Sequence, residues 1–264
     1  MIKFPRMFFR IAIFFMVLFS ARAQAESGID RETETAVPRA RNLYGIGLGV
    51  LPKTSGADEY RALVLPIINA NYGDRFYINA LQAGVWLLDS EDKRLRVGLA
   101  AEARFGWDAK DGRRTRGMED RDFSIFVGPN VRWQTELGTF NAQWTADASG
   151  HSNGQQVQLQ YIKSLIRSPE LRLNGLLGVT WNNQKFNDYY FGVAASEASA
   201  TRPQYRADSG VELQMGVNGV VPVMQTHSFL FGAFVTRLSH AQYDSPITET
   251  RLQPLAYVGY SIPF

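Results

Sequence analysis

The sequence predicts an all-β protein, a transmembrane antiparallel β-barrel of about twelve strands with ten as the alternative count, following a cleaved signal peptide. Three observations lead there. Apolar and polar residues alternate along runs of about nine to twelve residues. The links between those runs alternate between short and long. The last stretch, "LAYVGYSIPF", is apolar at every second position down to Phe264. A period of two with one polar face marks strands wetted on one side. A soluble sandwich alternates as well, but its strands average about five or six residues, whereas a tilted membrane strand needs about 9–11. Arg, Glu and Asp also fall near strand centres, which suits a wet lumen.

The first element is residues 1–25. Lys3, Arg6 and Arg10 precede the apolar "IAIFFMVLF" at 11–19, and small residues follow in "ARAQA". An apolar core this short cannot span a bilayer as a helix, which takes roughly 20 residues. The three-part order is that of a secretory signal, with cleavage expected after Ala25 and Ala23 as the other candidate. The whole chain carries 28 basic and 25 acidic side chains, a net +3. Four of the basic ones lie in the leader and none of the acidic ones, so 24 oppose 25 in the remainder. That near-balance removes the basic surface nucleic-acid binding requires. Residues 26–42, "ESGIDRETETAVPRARN", are polar and aperiodic, and read as a flexible periplasmic segment ahead of a barrel at 43–264.

Strands are expected at 43–51, 61–70, 74–81, 83–88, 94–105, 123–134, 139–148, 155–164, 171–181, 209–221, 228–238 and 252–264. "TFNAQWTADA" shows the logic: Phe140, Ala142, Trp144 and Ala146 oppose Thr139, Asn141, Gln143, Thr145 and Asp147. The links "NYGD", "SEDK", "TELG", "LIRSPE" and "VPVMQT" are turn-like, while 106–122, 182–208 and 239–251 are long loops. Short periplasmic turns opposite long external loops is the outer-membrane pattern. Merging 74–88 into one strand would place loop 106–122 on the wrong side, which argues for twelve, although each strand of that pair is short for spanning. In the last strand Tyr260, Ile262 and Phe264 form the lipid-facing end and the expected insertion signal for the barrel-assembly machinery.

There are no cysteines, so no disulfide holds this exported chain. The three histidines, His151, His227 and His240, lack metal-ligand spacing, and no cofactor or metal is expected. "GIGLG" at 45–49 lies within a strand with no helix after it, and is not a nucleotide fingerprint. In "SGHSNG" (149–154), His151 beside Ser152 would suit a lipid hydrolase in which His activates Ser. Adjacent residues in a strand point to opposite faces, and the flanking glycines make a polar turn the preferred reading. Loop 106–122 could touch lipopolysaccharide phosphates through Arg113, Arg114 and Arg116, with a solvated, self-paired loop preferred. Loop 182–208 carries "DYYFGVAASEA" and Tyr205, aromatics that predict inward folding or a place at the membrane rim.

"DYYFGV", "SEA", "YRADSG" and "DSPI", in that order before a terminal strand ending in Phe, resemble the MipA/OmpV family of outer-membrane proteins. The family's blocks fall on Tyr189, Tyr190, Gly192, Val193, Glu197, Ala198, Ser245 and Pro246. "ADASGHSNG" resembles its Asp-x-Ser-x-x-His-x-x-Gly stretch, through Asp147, Ser149 and Gly154 with His151 between them. The resemblance implies a barrel in the outer membrane of a Gram-negative bacterium, in contact with its lipid and lipopolysaccharide. The family's founding member links a murein lytic transglycosylase to a penicillin-binding protein, so the resemblance implies a non-enzymatic scaffold. The alternative reading is a passive narrow channel whose polar face (Arg96, Glu102, Arg132, Asp147, Glu212) lines a pore; an outer-membrane lipid hydrolase ranks below both.

Overall fold

The computed structural model describes residues 42–224 and 226–263. The expected signal peptide with its Ala25 cleavage site, the 26–41 part of the periplasmic segment, and Phe264 lie outside the described residues. Twelve antiparallel strands close into one barrel, each paired with its sequence neighbours and the last with the first. They are β1 Leu43–Pro52, β2 Tyr60–Tyr72, β3 Phe76–Asn79, β4 Gln82–Asp89, β5 Leu95–Arg104 and β6 Ser124–Thr135. The second half comprises β7 Gly138–Asp147, β8 Gln155–Arg167, β9 Arg172–Asn182, β10 Gly210–Val223, β11 His227–Arg237 and β12 Leu252–Pro263. The expected count of twelve is met. No helix among the described residues is long and apolar enough to cross a membrane.

Alternation sorts the side chains between lipid and lumen. On β10, Val211, Leu213, Met215 and Val217 are exposed on the outer wall. On β6, Ile125 and Val127 face out while Ser124, Phe126 and Asn130 are buried inside. Two bulges interrupt the rule. The register slips between Trp86 and Leu88, which leaves both Leu87 and Leu88 exposed. A second slip between Ser164 and Ile166 does the same for Leu165 and Ile166. Aromatics gather at the short-turn end, where Trp133, Phe140 and Tyr161 stand at ring spacings of 5.8 and 4.9 Å, and Phe229 lies 5.2 Å from Tyr260. Such a belt marks the membrane interface. On β12, Tyr260 and Ile262 face outward and Ser261 is buried.

The strands of the 74–88 region are as short as the sequence suggests. β3 pairs β2 only along Asn69–Tyr72. Beyond that, Ala80 donates to the Ile68 carbonyl at 2.7 Å, and the hairpin turns back. Tyr60–Ile67 therefore has a ladder partner on its β1 side and none on its β3 side among the described residues.

Candidate functional site

The polar positions that alternation sends inward meet in the lumen as one hydrogen-bonded belt. Gln82 Nε2 donates to Gln143 Oε1 at 2.7 Å, and Gln143 Nε2 donates to Glu102 Oε2 at 2.7 Å. Arg104 lies 3.5 Å from Glu102 and donates to Gln156 Oε1 at 2.8 Å. Gln156 donates to Asn182 at 2.5 Å, and Asn182 donates to Glu212 at 2.7 Å. Gln242, in the short helix α2 (His240–Tyr243), donates to both Glu212 and Asn187. The belt thus crosses from β4 through β5, β7, β8, β9 and β10 to the long loops. Nearly all of its members are buried, because each buried donor or acceptor finds the next.

Below the belt, towards the short turns, aromatic and guanidinium groups fill the space. Tyr77 stacks on Trp86 at 4.9 Å, and Arg96 and Arg132 each lie 5.0 Å from the Trp86 ring. Arg96 also pairs with Asp89 at 2.8 Å. Of the residues expected on a pore wall, Arg96, Glu102, Arg132 and Glu212 are thus engaged in filling the lumen. Asp147 instead turns to its own loop, accepting from the amides of Ser149 (2.8 Å), Ser152 (2.7 Å) and Asn153 (3.1 Å) and from Ser152 Oγ (2.8 Å).

Above the belt the long loops form a cap. Loop 183–209 begins with helix α1 (Gln184–Phe191), whose N-terminus is capped by Asn183, its side chain accepting from Phe186 N. The helix folds inward, the first of the two placements its aromatics allow: Phe186, Tyr190 and Phe191 are buried. Phe186 lies against Phe126 at 5.8 Å, and the Arg104 guanidinium sits 4.8 Å from its ring. Burial pushes the Tyr190 hydroxyl up to about 12.

The residues that the resemblance places in the family's blocks fasten this cap. Glu197 accepts from the amides of Glu119 (2.9 Å) and Ala194 (3.0 Å) and, through both oxygens, from Arg121 at 3.1 Å. Burial pushes its carboxyl up, but the Arg121 side chain and the two amides together hold it below its ordinary value. Tyr189 gives its carbonyl to Arg121 Nε at 2.6 Å, and its hydroxyl accepts from Asp122 N at 2.8 Å. Gly192 N closes α1 on Asp188 O, Val193 bridges to Tyr205, and Ala198 N closes the turn at Ala195. Ser245 Oγ donates to Phe191 O at 2.5 Å, and the Pro246 carbonyl accepts from Arg114 at 3.1 Å.

Ser149 Oγ accepts from Ile125 N at 2.6 Å. Gly154 lies against α1, where an added Cβ would come within 2.8 Å of Phe186 Cβ. His151 Nδ1 is 3.4 Å from Ser124 Oγ, while the Ser152 hydroxyl donates to Asp147. The chain folds them into separate contacts, so the adjacent His and Ser do not form a nucleophile and base. Among the described residues no cluster of His, Asp and Glu could hold a metal ion.

Loop 105–123 pairs partly with itself, Lys110 lying 3.0 Å from Asp108 and Asp120 accepting from Ala109 N, but two of its arginines reach other loops. Arg113 and Arg114 both reach Glu249, at 2.6 and 3.2 Å, and Arg113 also reaches Asp58. The loop is therefore tied to loops 53–59 and 238–251. What the sequence did not indicate is the joining of Gln82, Gln143, Gln156, Asn182 and Gln242. The available signal was a recurrence of Gln and Asn at inward positions.

The chain is similar to several known proteins. The MltA-interacting protein of Escherichia coli K12 is 24% identical over 241 residues, which cover 90% of this chain and 96% of that one. The outer membrane protein OmpV of Vibrio cholerae is 25% identical over 158 residues, 60% of each chain. Among solved structures, a bacterial polysaccharide outer membrane secretin aligns at TM-score 0.43 and 11% identity, covering 85% of this chain and 98% of that one. A Pseudomonas aeruginosa FadL homologue aligns at TM-score 0.39 and 8% identity, covering 86% and 91%. The family described as MltA-interacting protein MipA matches residues 44–264. This chain, a barrel of the Gram-negative outer membrane, belongs to that family.

Proposed function

We propose that the protein is a non-enzymatic scaffold that holds a murein lytic transglycosylase, and with it a penicillin-binding protein, against the inner face of the outer membrane. The observation that carries this reading is the filled lumen. A belt running from Gln82 to Gln242 under a fastened cap supports a structural role over passage of solutes. The E. coli relative, matched along 96% of its length, is named for interaction with MltA, which supports the class of partner. The separate engagement of His151 and Ser152 supports a role without catalysis.

External loops lie on the wrong side for murein enzymes, so the contact falls to the short turns or to residues 26–42. That segment sets Glu26, Asp30, Glu32 and Glu34 against Arg31, Arg39 and Arg41. A polar segment of this kind can order on binding, with modest affinity because the ordering entropy is met then. Deleting 28–40 should weaken capture of a lytic transglycosylase from periplasmic extract while leaving barrel assembly intact. Unchanged capture would move the contact to the turns, and no capture by the intact protein would end the scaffold reading.

A further inference from the structure

The outer wall between β6 and β12 is not evenly convex. It holds a groove of about 760 Å³ with an apolar lining that includes Leu159, Leu177, Leu213 and Met215. These are side chains that alternation turns to the lipid, and all four are exposed. One end is closed by the Trp133, Phe140 and Tyr161 rings beside the short-turn end. A second hollow of about 580 Å³ continues the groove, sharing Tyr161, Leu177 and Met215 with it. The other end reaches Arg237, the last residue of β11, where the long loops begin.

Arg237 is the unusual member. It is exposed, shares the outward face with Val235 and Phe229, and has no hydrogen-bond or ion-pair partner among the described residues. A lipid-facing arginine is costly at the bilayer centre and tolerated at the interface, where it meets headgroups. A second arginine, Arg251, lies on the neighbouring segment. Leu238 N donates to Arg251 O at 2.9 Å, so the two segments run side by side. Arg251 stacks over Tyr243 and lies 3.2 Å from His240 Nε2. The carboxylate of Glu249 is already taken up by Arg113 and Arg114.

We propose that this groove binds the phosphorylated, multi-acyl glycolipid of the outer leaflet, lipid A, with acyl chains along the groove and a phosphate on Arg237. Two features select this occupant. The guanidinium stands at the external end, the leaflet in which that glycolipid resides, and the groove crosses seven strands, which gives room for several chains from one headgroup. Arginine is also the side chain whose planar fork matches a phosphate with two parallel hydrogen bonds.

The test is native mass spectrometry of the full-length barrel in detergent, titrated separately with bis-phosphorylated lipid A, dephosphorylated lipid A and phosphatidylglycerol. Heat-modifiable migration checks folding of each variant. The bis-phosphorylated lipid should be retained most strongly. Arg237→Gln should lower its retention by about tenfold, the loss expected for one charge-assisted contact, and Arg237→Lys should recover part of it. Met215→Trp, which fills the groove and spares the arginine, should lower retention of both forms of lipid A. Undiminished retention in Arg237→Gln and Met215→Trp, or phosphatidylglycerol held as firmly as lipid A, would overturn the proposal.

Discussion

Glu197 shows how a single side chain can fasten two loops. Its side chain and that of Arg121 are only 5% and 9% exposed, so neither charge has water to fall back on. Removing one partner of such a pair costs about 3–5 kcal/mol, and here the loss would fall on the cap rather than on the strands. Glu197→Ala should therefore speed hydrogen exchange at the Glu119 and Ala194 amides while the barrel stays heat-modifiable. Its carboxyl is held below its ordinary value, so its contribution is complete above the unfolded carboxylate value and disappears as the pH falls through the lower folded one. Protease nicking of the cap should rise in acid and stay flat from neutral pH upward. By contrast, His151→Ala and Ser152→Ala should each leave lipid A acylation and phospholipid content unchanged, since the two side chains serve different contacts. Loss of deacylation in both variants would restore the hydrolase reading. These residues were visible in the sequence as ordered blocks, but their partners were not. Arg121 and Glu119 meet Glu197 across more than 75 positions of chain, and no local pattern encodes such a meeting.

At the scale of the element, α1 is the piece that fills the external mouth. Its N-cap rests on Asn183, which also accepts from Gln155 N at 3.0 Å. Asn183→Ala should cost about 1 kcal/mol, read as faster exchange at Phe186 N. Deleting 185–205 removes most of the helix and the loop behind it, and should raise single-molecule conductance in planar bilayers above that of the intact barrel. Large, steady conductance in the intact protein would favour the channel instead. For β12, we expect deletion of Phe264 to lower outer-membrane levels and leave degraded protein in the periplasm; normal levels of heat-modifiable barrel would dismiss the terminal aromatic as an assembly signal. Strand positions were legible because period two survives wherever one face meets lipid and the other meets polar groups. The bulges after Trp86 and Ser164 were not, because a bulge is a relation between two strands and each sequence run records only one.

For the whole molecule, the barrel followed from the parity of the links, since an even strand count is what places every long loop on one side. The closed lumen did not follow. The same Gln-rich inner face could line water or bond to itself, and the choice depends on register, which sets Gln82 opposite Glu102 on β5 and brings Gln143 within reach of both. A wall otherwise built of long ladders has one place where it is stitched by only four residues of β3 on each side. Under load that seam is where the fabric tears first. Pulled from its two ends, the sheet should peel at β3 before β1 leaves β12, so the first rupture would open a slit in the wall and leave the sealed ends joined.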